Sequence, residues 1–88
     1  MHNLQVGQLV RSVAGRDLGK HYLVIGTDGD RYVWVADGKY RRVEKPKRKN
    51  VKHLVGQDQV AKEVVNRLRK GEKITNSLVR KALSDLIE

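Results

Sequence analysis

The stretch H21-YLVIGTDGDRYVWVADG-38 decides how the chain reads. Two short apolar runs rich in Val, Ile and aromatic residues flank Asp28-Gly29, and a second Asp-Gly pair, Asp37-Gly38, follows them. Such runs favour strands, and Asp-Gly pairs favour tight turns because glycine accepts positive φ without a Cβ clash. DGDR (28–31) and ADGK (36–39) are therefore expected to be hairpin turns. Alternation puts Leu23 and Ile25 on one side of their strand and Tyr22 and Val24 on the other. The next strand sets Val33 and Val35 against Tyr32 and Trp34. Leu23, Ile25, Val33 and Val35 are expected to line the core, with Trp34 and the tyrosines on the outer face or its rim.

Working outward, QLVRSVA (8–14), KYRRV (39–43) and NVKHL (50–54) carry the same signature. Five short strands in residues 1–54 predict a small closed or nearly closed antiparallel barrel, which disposes of exposed edges at this size. From residue 55 the period changes. In GQDQVAKEVVNRLRKG (56–71), Val60, Val64, Val65 and Leu68 form a helical stripe, with Asp58 as a candidate N-cap and Gly71 just past the end. In ITNSLVRKALSDLIE (74–88), Thr75 or Asn76 can cap a second helix. With Thr75 as cap, Ile74 and Val79 take the positions of a hydrophobic staple. Val79, Ala82, Leu83, Leu86 and Ile87 make its apolar face. The expected organisation is mainly β with C-terminal α: a barrel over 1–54 and a two-helix hairpin over 55–88.

Composition narrows the function. Among 88 residues, 19 Lys and Arg against 10 Asp and Glu give a net charge of +9. An anionic partner is the expectation, nucleic acid first and an anionic membrane surface second. The excess is uneven: residues 1–54 hold 12 basic and 5 acidic side chains, residues 55–88 hold 7 and 5. Within KYRRVEKPKRKNVKH (39–53), eight Lys and Arg face one acid, Glu44. Cysteine is absent, so no disulfide or thiolate metal site can form. No apolar run approaches the roughly 20 residues that span a bilayer, and MHNLQVGQ (1–8) lacks the regions of a signal peptide. A cytoplasmic protein is expected.

Catalytic and metal chemistry find little support. His2, His21 and His53 lack a metal-ligand spacing. Ser12, Asp17 and His21 have no nucleophile-elbow context. GRDLGKH (15–21) has three residues between its glycines and His after Lys, where the Walker loop needs four and Ser or Thr, and a strand follows it rather than a helix. Neither an enzyme nor a bound cofactor is expected.

With its flanks, VGQLVRSVAGRDLGKHYLVIGTDGDRYVWVADG (6–38) resembles the KOW motif. The resemblance rests on the order Val-Gly-x-x-Val, Gly-x-Asp-x-Gly-Lys, an apolar strand, then Asp-Gly. Tyr22 stands where many KOW motifs carry another glycine, so the chain looks less like elongation factors. It is more similar to large-subunit ribosomal proteins of KOW type and the small bacterial KOW-domain RNA-binding proteins that resemble them. The resemblance implies an SH3-like barrel that binds RNA, with ribosomal RNA the foremost partner and translation the setting.

The residues supply a mechanism of their own. Gly15 and Gly19 let the backbone approach a phosphate, and Arg16 and Lys20 add charge. Asp17 would repel phosphate, so it is expected to hydrogen-bond the turn or orient Arg16. In the basic segment Arg41, Arg42 and Arg48 can bond phosphate bidentately, while Lys39, Lys45, Lys47, Lys49 and Lys52 act as point charges. Pro46 keeps the run extended and unable to continue a central ladder. Tyr22, Tyr32, Trp34 and Tyr40 can stack on unpaired bases, Tyr40 best because Lys39 and Arg41 flank it. For Trp34, packing against core or helices and stacking on RNA both stay open.

Two rival functions remain. One is a protein-interaction module in a transcription or translation complex, using the barrel or the apolar stripe of the helical hairpin. The other is DNA binding, for which no basic recognition helix is evident.

Overall fold

The structure, a computed structural model, describes residues 3–87; His2 lies outside them. Three strands, β1 (Gln8–Ser12), β2 (His21–Asp28) and β3 (Tyr32–Ala36), come first. Then come β4 (Lys47–Asn50), a 3-10 turn (Val51–His53), β5 (Leu54–Val60), α1 (Lys62–Arg69) and α2 (Asn76–Ile87). The strands form one antiparallel sheet in the order β4-β3-β2-β1-β5. No helix among the described residues is long and apolar enough to cross a membrane.

The expected barrel is not closed, because no ladder joins β4 to β5. The sheet must nevertheless curl. Laid flat, its two edges would stand about 19 Å apart at the usual strand spacing, whereas the four steps from Asn50 to Leu54 reach at most about 14 Å. Two register shifts bend it, one in β1 against β5 between Gln8 and Val10 and one in β2 against β3 between Val24 and Gly26.

Both faces of the sheet are covered. On one, Leu9 and Leu23 pack with Ala61, Val64, Val79 and Leu83, and Ile25, Val43, Leu68 and Ile74 close the margin. On the other, Val10, Tyr22, Val24, Val33, Val35 and Leu54 fill the concave interior. The four residues expected to share one core are thus divided, Leu23 and Ile25 toward the helices and Val33 and Val35 toward the interior. Tyr22 is buried in that interior rather than on the outer face. The ladder explains the division, since Val24 pairs with Val35 and Leu23 with Ala36. The continuous apolar run of β2 is what a strand covered on both sides requires.

Three expected elements are corrected. Residues 39–43 form no strand, because the backbone closes on itself: Asp37 and Gly38 N–H both donate to the Arg41 carbonyl. The fourth strand is instead KRKN, following Pro46, and it lies at a sheet edge. NVKHL is divided between the end of β4, the 3-10 turn and the start of β5, with the Asn50 side chain capping the turn from Lys52 N–H at 3.0 Å. Residues 55–60 are strand, not helix, so Asp58 caps nothing and α1 starts after Ala61 without a side-chain cap. The helix ends as expected, with Gly71 N–H on the Leu68 carbonyl and Glu72 N–H on that of Arg67. Thr75 caps α2 through its Oγ1, which accepts from Leu78 N–H at 3.1 Å. Both staple positions, Ile74 and Val79, belong to the helix-side core.

Candidate nucleic-acid interface

The loop of residues 13–20 leaves β1 at Ser12 and returns at His21. Gly15 and Gly19 adopt φ of +82° and +86°, a left-handed backbone that a side chain would strain. With those turns in place, Gly19 N–H reaches the Ser12 carbonyl at 2.8 Å and Lys20 N–H reaches that of Asp17 at 2.9 Å. Gly15, Arg16, Gly19 and Lys20 are exposed, and Leu18 stands out at 66% exposure.

Asp17 points the other way. Its side chain is buried and accepts four hydrogen bonds. Ser12 Oγ and Tyr22 OH donate at 2.9 Å, Lys49 Nζ at 3.1 Å and Lys47 Nζ at 3.3 Å. Burial pushes its carboxyl up, but the hydrogen bonds from Lys49, Ser12 and Tyr22 outweigh it and hold the group far below the usual carboxylate range. Burial, followed by the Asp17 carboxylate, raises the Tyr22 phenol well above its ordinary value. Asp17 therefore neither faces a phosphate nor orients Arg16. It ties the loop to β1, β2 and β4.

The second element is the segment of residues 37–46 between β3 and β4. Asp37 Oδ1 accepts from Lys39 N–H and Arg41 N–H at 2.8 Å each, which fixes the turn that carries Tyr40. The N-terminus of α2 holds this segment from behind. Arg80 Nη1 donates to the Gly38 carbonyl at 2.7 Å, and Val43 N–H donates to Asn76 Oδ1 at 2.8 Å. Asn76 Nδ2 in turn donates to Glu44 Oε1 at 2.6 Å. Gly38, at φ +78°, is so close to α2 that a Cβ there would collide with the Asn76 carbonyl. The Glu44 carboxyl is partly desolvated, yet its own backbone N–H, Asn76 and Arg42 hold it below its ordinary value.

The two loops meet at Tyr40. Tyr40 is 71% exposed, with Lys20 Nζ 5.2 Å and Lys39 Nζ 5.1 Å from the centroid of its ring. Arg16, Lys20, Lys39, Arg41, Lys45 and Lys52 are exposed and make no ion pair among the described residues. Arg42 is exposed and pairs with Glu44 at 3.3 Å.

Strand β4 divides the remaining basic residues by its alternation. Lys47 and Lys49 turn toward Asp17, and Lys49 is buried, so its ammonium serves the interior rather than the surface. Arg48 turns the other way, bonding Asp28 through Nε at 2.6 Å with its guanidinium 3.6 Å over the Tyr32 ring. Trp34, opposite Arg48 in the ladder, is half-buried with Gly26 against its ring. Ser12 is fully buried as a donor to Asp17.

The contacts of Asn76 with Val43 and Glu44 and of Arg80 with Gly38 cannot be read from sequence, since nothing local announces a contact across more than thirty residues. No protein-family model matches the chain, and no curated protein does.

Proposed function

We propose that this protein is a non-catalytic RNA-binding protein of KOW type, and that its five strands form a curled, SH3-like barrel left open at one seam. Its foremost partner is ribosomal RNA or the large ribosomal subunit, met in the cytoplasm. The observation that carries the reading is the meeting of two loops far apart in sequence, through Lys20 and Tyr40, amid cations that no carboxylate among the described residues neutralises. A rigid, exposed cationic surface of this kind suits phosphates. The centre of the apolar face of α1 and α2, Val64, Val79 and Leu83, is buried against the sheet, which favours charge over a hydrophobic stripe as the means of recognition, although Ile87 stays half exposed.

The KOW resemblance supports the same partner, and the alternative of a hydrophobic docking module makes an opposite demand. Binding of a labelled, structured ribosomal RNA fragment, followed by anisotropy, separates them. If about five phosphates are neutralised, the association constant falls a few hundredfold between about 50 and 200 mM salt. Binding that is indifferent to salt would contradict the proposal.

A further inference from the structure

We propose that Tyr40 is a stacking platform for one unpaired base of RNA, with Lys20 and Lys39 taking the phosphates that flank it. This rests on the RNA-binding reading and says which feature of an RNA the surface selects. The four aromatic residues of the chain differ in what their rings can still do. Tyr22 is buried with its hydroxyl on Asp17. The Tyr32 ring lies under the Arg48 guanidinium, itself anchored by Asp28. Trp34 is half-buried against Gly26. Tyr40 alone is largely exposed, and the two ammonium groups over its ring, unlike the Arg48 guanidinium, are tethered to no carboxylate among the described residues and can be displaced.

An exposed aromatic by itself means little. Here the ring sits on a turn whose neighbouring N–H groups, those of Lys39 and Arg41, share one acceptor in Asp37, so little freedom remains to be lost on binding. In the free protein the lysines rest near the ring as weak cation–π partners. A nucleotide offers each group something better, the base to the ring and the phosphates to the ammoniums. The two lysines come from different loops, so both loops contribute to holding the strand. A regular duplex keeps its bases stacked inside and cannot make this contact, whereas a bulge or loop can.

Two probes test this, a blunt RNA duplex and the same duplex carrying one bulged 2-aminopurine nucleotide, each titrated with the wild type, Tyr40→Phe and Tyr40→Ala. The wild type and Tyr40→Phe bind the bulged RNA about tenfold tighter than the duplex, and binding quenches the 2-aminopurine fluorescence. Tyr40→Ala loses the preference and the quenching. Equal affinity of the wild type for both RNAs, or a preference that survives Tyr40→Ala, would overturn the stacking proposal and leave RNA binding intact. Absence of salt-dependent binding to either RNA would overturn both.

Discussion

The Lys49 ammonium lies 3.1 Å from Asp17 Oδ1 with both side chains more than nine-tenths buried, so an ion pair inside the molecule joins the glycine loop to an edge strand. The pair is hydrogen-bonded on further sides by Ser12, Tyr22 and Lys47. Such an arrangement fixes a loop whose apolar residues bury little, Val13 and Ala14 being half-buried and Leu18 exposed. Breaking it from one side is costly because the other charge is left behind.

Asp17→Asn should therefore destabilise the fold by about 3–5 kcal/mol, since it strands the Lys49 ammonium in the interior. Lys49→Met should cost less, because Asp17 keeps Ser12, Tyr22 and Lys47 as donors. Urea denaturation of both variants checks the order. Equal losses, or a loss below about 1 kcal/mol for Asp17→Asn, would contradict the network's role.

The same network sets a pH profile. The Asp17 carboxyl is held below its unfolded value of about 3.9, so its contribution is present above about pH 4 and fades as pH falls further. The Tyr22 phenol is raised above its unfolded value of about 10, so its contribution is present below about pH 10 and fades as pH climbs beyond it. Unfolding free energy measured from pH 2 to 11.5 should decline at both ends. Tyr22→Phe should flatten the alkaline limb and leave the acid limb in place; an unchanged alkaline limb would sink this assignment.

Gly38→Ala puts a Cβ against the Asn76 carbonyl on a backbone at φ +78°, and should cost roughly 2 kcal/mol or more. Gly29→Ala meets open space at φ +70° and should cost only about 1 kcal/mol, the backbone penalty alone. If the two variants melt together, the turn of residues 37–41 is not held against α2.

How much of this could be read from sequence varies by element, for physical reasons. The β2–β3 hairpin, the Thr75 cap and the turn at Gly71 follow from local rules, and each appears where its residues indicate. KRKN, by contrast, has no apolar alternation. It is a strand because Val33 and Val35 offer it a ladder and because Asp17 receives Lys47 and Lys49. Residues 55–60 look like the approach to a helix because Val60 falls one turn before Val64 and Asp58 can cap, and only pairing with β1 makes them a strand. The loop 15–20 and the basic segment were legible as charge, but their meeting at Tyr40 was not. Asp17 was legible only in part. Its charge argues against a phosphate contact and for a hydrogen-bonding role near the turn, but its partners Lys47 and Lys49, thirty and more residues on, are seen only in the folded chain.

Charge reversal separates surface from structural cations. Lys20→Glu and Arg41→Glu should each weaken RNA binding about tenfold and lower the salt slope by about one, without changing the melting temperature. Lys81→Glu, on an exposed turn of α2 beside Asp85, should change affinity little. Comparable losses from all three would mean that only net charge matters and that the surface around Tyr40 is not the binding site.

The central claim, an RNA-binding protein of the large ribosomal subunit, is tested most directly by sedimenting the tagged protein from its own cells through sucrose gradients at low and high salt. The account predicts co-migration with the large subunit at low salt, ribosomal RNA in the same fractions, and release of the protein at high salt. Protein at the top of both gradients, without RNA, would contradict it.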